Sequence, residues 1–526
     1  MQAIATQPLA RGGTFTSART AILGLLLIVH AITGAGRAAA QPLNEEIQRI
    51  IARTRLGADA KVGVSVLDTQ TRAVVAALRA NEPFTPASNM KLLSSGAAVL
   101  VLGSDFVFST EVIHDGTKLV LRGSGDPAFA DPDVLDKMSP KMTVDDVLGI
   151  VAGAVAKANV GKIDALVVDD RVFDREYVHP TWPVRQLGDW YCAQISGLNF
   201  HTNVLSVFPR PSPDGPGKRA VRTVEPDASW LSIENQTRTV RDGKNAISLV
   251  RLPGEENAFR LSGDVRFPTQ VPVETTLHNP ALFCGQVLAD RLEKAGVVIG
   301  EPSAKGSPTP NRAVRLAAPE EAINTDRVLA RVTTPMSDIL RRCNKDSHNL
   351  YAEALLKRVG FETTGEPGSW KNGAAVLRML LTQKIDPQAA ASTTIADGSG
   401  MSRENKVAPS VLTRWLAVIA NEDSELKHTF VDSLALPGEG TLRERFQGAK
   451  LRNEVRGKSG YIKGVRTLSG YVTHRETGRR VAFSIMINNV GDDAGAIAKK
   501  LHEEIVVEVD RWLTRQAGTA KPALGG

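Results

Sequence analysis

Cysteine is scarce in this chain. Its three copies, Cys192, Cys284 and Cys343, are widely spaced and include no Cys-x-x-Cys pair. That excludes a zinc ribbon and a disulfide framework, although an oxidising compartment could pair two of the three, and the sequence does not say which. No block of lysine and arginine is dense enough for nucleic acid, and no fixed-period repeat points to a solenoid. Long apolar runs are missing too. The stretch Ala21–Ala31 (AILGLLLIVHA) is too short to span a bilayer comfortably. Acids are absent from the first forty residues, where Arg11 and Arg19 precede that stretch and small residues lead to Ala38-Ala39-Ala40 before Gln41. This layout predicts a secretory signal over residues 1–40, hence an exported, periplasmic protein with no transmembrane anchor after cleavage; an uncleaved N-terminal anchor is the alternative. Loss of Arg11, Arg19 and Arg37 would lower the formal net charge from +7 to +4. So mild a surplus suits adsorption to anionic envelope polymers at most.

What remains is ordinary for a soluble globular protein. With 42% hydrophobic and 23% charged residues over 526 positions, the chain can bury a large core divided among two or three domains. Helical spacing over Asn44–Arg55 leads into two alternating runs, Lys61–Leu67 and Arg72–Leu78, which read as a hairpin. From Ser88 a buried helix runs to Gly103. Between about Phe106 and Asn324 short strand-like runs alternate with joints rich in proline and glycine, such as Pro209–Gly217, and two helices interrupt them, Val144–Ala158 and Pro280–Ala295. Helical patterns return at Met336–Asn344, Leu350–Val359, Gly373–Gln383 and Val411–Ala420. Two strands, Arg466–Thr473 and Val481–Asn488, then precede a helix over Ala494–Leu513. The pattern predicts a mixed α/β (α+β) catalytic domain in two parts, 41–105 and 325–526, split by a large β-rich insertion of one or two modules over 106–324.

Three short strings carry the chemistry: Ser88-Asn89-Met90-Lys91, Ser347-His348-Asn349 and Lys458-Ser459-Gly460. A serine that attacks carbonyls needs a base within hydrogen-bond reach. Ser88 and Lys91, three apart at a helix start, share one face. Shielded from water or set beside another cation, the Lys91 amine loses its charge and can take the serine proton. Lys458 is the candidate for that second cation and for the attraction of a substrate carboxylate. Ser347 and Asn349 are expected on one side of an extended turn, the hydroxyl to relay a proton and the amide to orient Lys91 and hold a substrate amide, with His348 facing away. The backbone N–H groups of Ser88 and Tyr461 are candidates for an oxyanion hole. Ser459 and Gly460 are candidates for substrate binding, glycine allowing a substrate backbone to lie on the strand, and Arg403 is a further one. No metal or cofactor is called for.

Two strings imitate the signal. Ser424-x-x-Lys427 lies among Glu422, Asp423 and Glu425 and reads as a solvated surface turn. His502-Glu503-Glu504 opens like a zinc-protease string, yet Val506 stands where the second histidine belongs, so helix surface is the better reading. Ser88 alone could be an ordinary helix cap. Joined in order to the other two strings, it reads as a nucleophile.

The ordered set resembles that of penicillin-binding proteins and class A β-lactamases. Lys91 and Ser347 are 256 positions apart and Asn349 and Lys458 only 109, and a large insertion between the first and second strings resembles the D-alanyl-D-alanine carboxypeptidases of the penicillin-binding protein 4 type, peptidase family S13. Gly123–Pro127, Asp397–Gly400 with Ser402-Arg403, Gly440–Leu442 and Leu468–Tyr471 also read like that family. The resemblance implies a serine β-lactamase/transpeptidase-like fold and a D,D-carboxypeptidase acting on peptidoglycan stem peptides through an acyl-enzyme, with D,D-endopeptidase action on cross-bridges as a second activity and β-lactams as covalent inhibitors. A β-lactamase or esterase using the same residues, and an idle peptidoglycan-binding protein, are the alternatives. Two departures stand out: His348 where the family usually has aspartate, which should alter packing rather than chemistry, and Gln186 near a place after Thr181-Trp182-Pro183 that often carries an acid.

Overall fold

The computed structural model describes residues 43–253, 257–301 and 311–519; the signal expected over 1–40 lies outside them. The catalytic sheet is built from both ends of the chain. Its order runs Glu454–Ile462, Val465–Thr473, Arg480–Asn488, Lys61–Asp68, Val74–Leu78, every pair antiparallel. The Lys61–Asp68 strand is buried over seven of its eight residues, as befits a strand covered on both faces. One face packs on helices 43–53 and Gly495–Thr519 through Ile47, Ile50, Leu501, Ile505 and Val509. The other receives the helices Met90–Leu102, Asn349–Thr364 and Pro409–Ala420, with Leu93, Leu355 and Trp415 at their centre.

The residues between form sheets of their own, as the strand-rich texture predicted. A five-stranded sheet unites Val107–Asp115, Lys118–Gly123 and Ala165–Asp169 with Val314–Leu316 and Val328–Pro335, beside two three-stranded sheets. The helices Val144–Lys157 and Pro280–Lys294 cover a separate core around Leu121, Val168, Phe259 and Phe283. Because Val328–Pro335 pairs with Val107–Asp115 along its length, the inserted sheet reaches past the expected boundary at 324, and the chain rejoins the catalytic helices at Met336. No turn residue marks that return. The strand runs directly into the helix.

A smaller expectation is corrected. Ser424–Asp432 is a helix, not a turn: Asp423 caps it by accepting from the Leu426 N–H, and Leu426, Phe430 and Val431 bury one side while Ser424 stays exposed. The three cysteines are all buried and free. Among the described residues no helix is long and apolar enough to cross a membrane.

Candidate active site

The turn bearing the candidate nucleophile Ser88 is a single 3₁₀ turn, Ala87–Asn89, leading straight into Met90–Leu102. Ala87 holds a left-handed φ of 46°, a conformation that costs on the order of 1 kcal/mol for a residue with a Cβ and that must be imposed from outside. Several clamps impose it. Thr467 Oγ1 donates to the Pro86 carbonyl (2.8 Å). The Asn89 amide donates to the Lys458 carbonyl (2.9 Å) while its oxygen receives the Ser469 N–H (3.1 Å). Gly460 completes the fit. A Cβ there would lie 2.9 Å from the Ser88 nitrogen and 2.2 Å from Thr467 Oγ1. The missing side chain thus admits the Ser88 turn.

Lys91 has no exposed surface. Its Nζ lies 3.2 Å from Ser88 Oγ, 2.7 Å from Asn349 Oδ1 and 2.9 Å from the Ser399 carbonyl. Burial pushes its pKa down to about 8, against the pull of Cys343, Glu353 and Asp397 toward the charged form. Lys458, equally buried, is driven well below the usual lysine range by burial and by the charge of Lys91. Its Nζ bonds Ser347 Oγ (2.8 Å) and the Ser459 carbonyl (2.6 Å). The charge of Lys91 thus depresses Lys458, whereas the sequence reading has Lys458 depressing Lys91; burial does that instead.

Ser347 is not in an extended turn. It sits at φ 64°, and the twist aims its hydroxyl at Lys458, leaving the following helix without a side-chain cap. Asn349 opens that helix, and its Nδ2 donates to the Tyr191 carbonyl (2.8 Å), a group of the inserted region. His348 faces away as anticipated, into a box of Trp190 and Tyr351 with ring centroids at 5.4 and 5.1 Å. Burial and the nearby Arg342 lower its pKa to about 3, so it packs as a neutral ring.

The strand carrying Lys458 is the outermost of its sheet. Gly457 exchanges both main-chain bonds with Ala435 across that outer edge. Since main-chain groups alternate sides along a strand, those of Ser459 and Tyr461 face the same open edge, beyond the reach of Ala435. Ser459 is half-buried and Tyr461 is 63% exposed, its ring stacked 3.8 Å under the Arg466 guanidinium. Arg403, exposed, donates to the Lys463 carbonyl at the hairpin tip of this strand (2.7 Å).

Sequence reasoning missed the support beneath these residues. Glu353, one turn after Asn349 and fully buried, accepts the N–H groups of Gly398 and Ser399 (2.7 and 2.8 Å) and so presents the Ser399 carbonyl to Lys91. Asp397 binds the N–H of Gly400 and Ser402 and the Trp182 indole. The Asp397–Gly400 string was visible; its acidic partner four residues after Asn349 was not, because an acid inside a helix reads as surface.

Comparisons with known proteins bear on the family and the fold. The sequence model of the D-Ala-D-Ala carboxypeptidase 3 (S13) family matches residues 43–510. A D-alanyl-D-alanine carboxypeptidase of Actinomadura sp. (strain R39) is 28% identical, over 96% of this chain and 92% of its own. The D-alanyl-D-alanine carboxypeptidase DacB of Haemophilus influenzae is 23% identical over 87% and 91%. The crystal structure of penicillin-binding protein 4 from H. influenzae superposes with a TM-score of 0.68 at 20% identity, over 90% of this chain and 99% of that one, and its complex with a β-lactam with a TM-score of 0.64, over 88% and 99%.

Proposed function

Because the chain belongs to the D-Ala-D-Ala carboxypeptidase 3 (S13) family, we propose that it is an exported serine D,D-carboxypeptidase that trims peptidoglycan stem peptides through an acyl-enzyme. The observation that carries the reading is the Lys91 amine, buried and held between Ser88 Oγ and Asn349. At pH 7 a lysine of pKa about 8 is neutral in roughly a tenth of molecules, about 300-fold more often than an ordinary lysine. Neutral Lys91 takes the Ser88 proton as Oγ attacks the penultimate D-alanyl carbonyl. The N–H groups of Ser88 and Tyr461 receive the developing oxyanion. Lys458 and the outward main-chain N–H of Ser459 hold the terminal carboxylate, whose charge restores the Lys458 ammonium. Ser347, bonded to Lys458 (2.8 Å), passes a proton to the departing D-alanine nitrogen, and water then hydrolyses the Ser88 ester. A β-lactam presents the same carbonyl and acylates Ser88.

The test pairs the mature protein with Ser88→Ala. Each is incubated with a fluorescent penicillin and then with a stem peptide ending in D-Ala-D-Ala, while adduct mass and free D-alanine are followed. Labelling and D-alanine release that both depend on Ser88 are expected. Labelling without release would move the activity to cross-bridges or to β-lactam hydrolysis, and an unlabelled wild type would overturn the reading.

A further inference from the structure

Behind the catalytic strand lies a second pocket. Lys458 and Gly460 point toward the Ser88 turn, so Ser459 and Tyr461 turn their side chains to the opposite face of the sheet, where the terminal helix Gly495–Thr519 packs. There Ser459, Gly460 and Tyr461 form one wall of a cleft of about 570 Å³ whose other walls are Thr441, Arg443, Glu444, Arg445, Arg466, Lys499 and His502. The proposed hydrolysis uses none of the side chains on these other walls.

The cleft is built for negative charge. Arg445 is spoken for: its guanidinium pairs with Glu503 and donates to the Lys499 carbonyl (3.0 Å). Arg443, Arg466 and Lys499 have no ion pair among the described residues, and the single acid on the walls is the exposed Glu444. More telling are the unmet hydrogen bonds. Both ring nitrogens of His502, Nε of Arg466 and the hydroxyl of Thr441 are buried without a partner. Each such group costs on the order of 1–3 kcal/mol if left unpaired. Natural structures rarely leave several in one place without something to receive them. His502 was expected on the helix surface; it is 1% exposed, because its position on the sheet side of the helix sets it under Arg445 and Arg466, which with burial keep it neutral.

We propose that this cleft is a binding site for a phosphate-type oxyanion. Three unpaired donors line the cleft on three separate elements: the hydroxyl of the Thr441 turn, Nε–H of Arg466 on its strand and one ring N–H of the neutral His502 on its helix. A tetrahedral anion accepts from several directions at once, as such an arrangement requires, and guanidinium groups supply the charge-assisted bonds. The anion can be free inorganic phosphate or a phosphodiester of an envelope polymer, since the recognition chemistry is shared.

The test is calorimetric titration of the intact protein with inorganic phosphate and, separately, with glycerophosphoglycerol as phosphodiester probe, at ionic strength held constant with potassium chloride. The reading variant is Arg443→Glu/Lys499→Glu, whose two side chains are exposed, with circular dichroism to verify its fold; Thr441→Val, which removes one unpaired hydroxyl, is the second. Wild-type binding to at least one probe, weakened roughly tenfold or more in the double variant, supports the site, and the tighter probe identifies the source. Equal binding by wild type and the folded double variant, or no binding of either probe by the wild type, overturns it.

Discussion

Lys91 illustrates what one residue can carry. Its amine is useful only when neutral, and burial brings its pKa to about 8. The rate of penicillin acylation should therefore climb with pH and level off above a midpoint near 8, measured by stopped labelling between pH 6 and 10. A flat profile would remove Lys91 from the base role. The sign for stability follows from the same shift. Between the folded value near 8 and the ordinary 10.5, the unfolded chain binds more protons than the folded one, so this group makes the fold more stable as pH rises through that window. The residues of the three strings were legible because their order and types encode chemistry. Glu353 and Tyr191 were not: one acts through its carboxylate on backbone N–H groups and the other through a main-chain carbonyl, and neither interaction constrains residue type enough to leave a pattern.

At the scale of elements, the strand Glu454–Ile462 serves as a floor for the Ser88 turn. Gly460→Ala would set a methyl 2.9 Å from the Ser88 nitrogen and 3.0 Å from the Pro86 carbonyl, where a backbone cannot yield cheaply. Acylation should fall by at least about 100-fold, the scale on which an ångström of misplacement is felt, while the circular dichroism spectrum stays that of the wild type. Wild-type labelling by the alanine variant would show that the turn tolerates movement. Many helices and strands of this region were readable from hydrophobic period, Met336–Asn344 to the residue, whereas Leu350–Val359 and Ala494–Leu513 fell short of Asn349–Thr364 and Gly495–Thr519. The left-handed Ser347 was not, since nothing in serine announces φ 64°; the pull of Lys458 and the adjoining helix sets it.

For the whole molecule, the inserted region is more than an ornament on the catalytic sheet. Arg342, on the helix before Ser347, reaches Asp131 of the insertion at 2.9 Å with both side chains nearly buried. Arg342→Met leaves a buried carboxylate without its partner, which typically costs 3–5 kcal/mol. A lower midpoint in urea and slower penicillin labelling are expected together, since Asn349 is held by Tyr191 of the same region. Lower stability with unchanged labelling would separate the insertion from the site. Sequence texture revealed this region as strand-rich, yet its edge strand Val328–Pro335 pairs with Val107–Asp115 across some two hundred residues, a distance over which no local pattern speaks.

The register of the catalytic sheet has a temporal side. Lys61 faces Asn488 and Asp68 faces Val481, so although Lys61–Asp68 can pair early with Val74–Leu78, its other edge waits for a strand roughly four hundred residues further on. Closing so long a loop is slow, and what comes early must wait in an incomplete state. Ser88 thus leaves the ribosome long before Lys458 and Gly460. The clamps that bend its turn, from Thr467, Ser469 and the Lys458 carbonyl, all belong to the last part of the chain. The bend at Ser88 is complete only once those distant residues have folded against it.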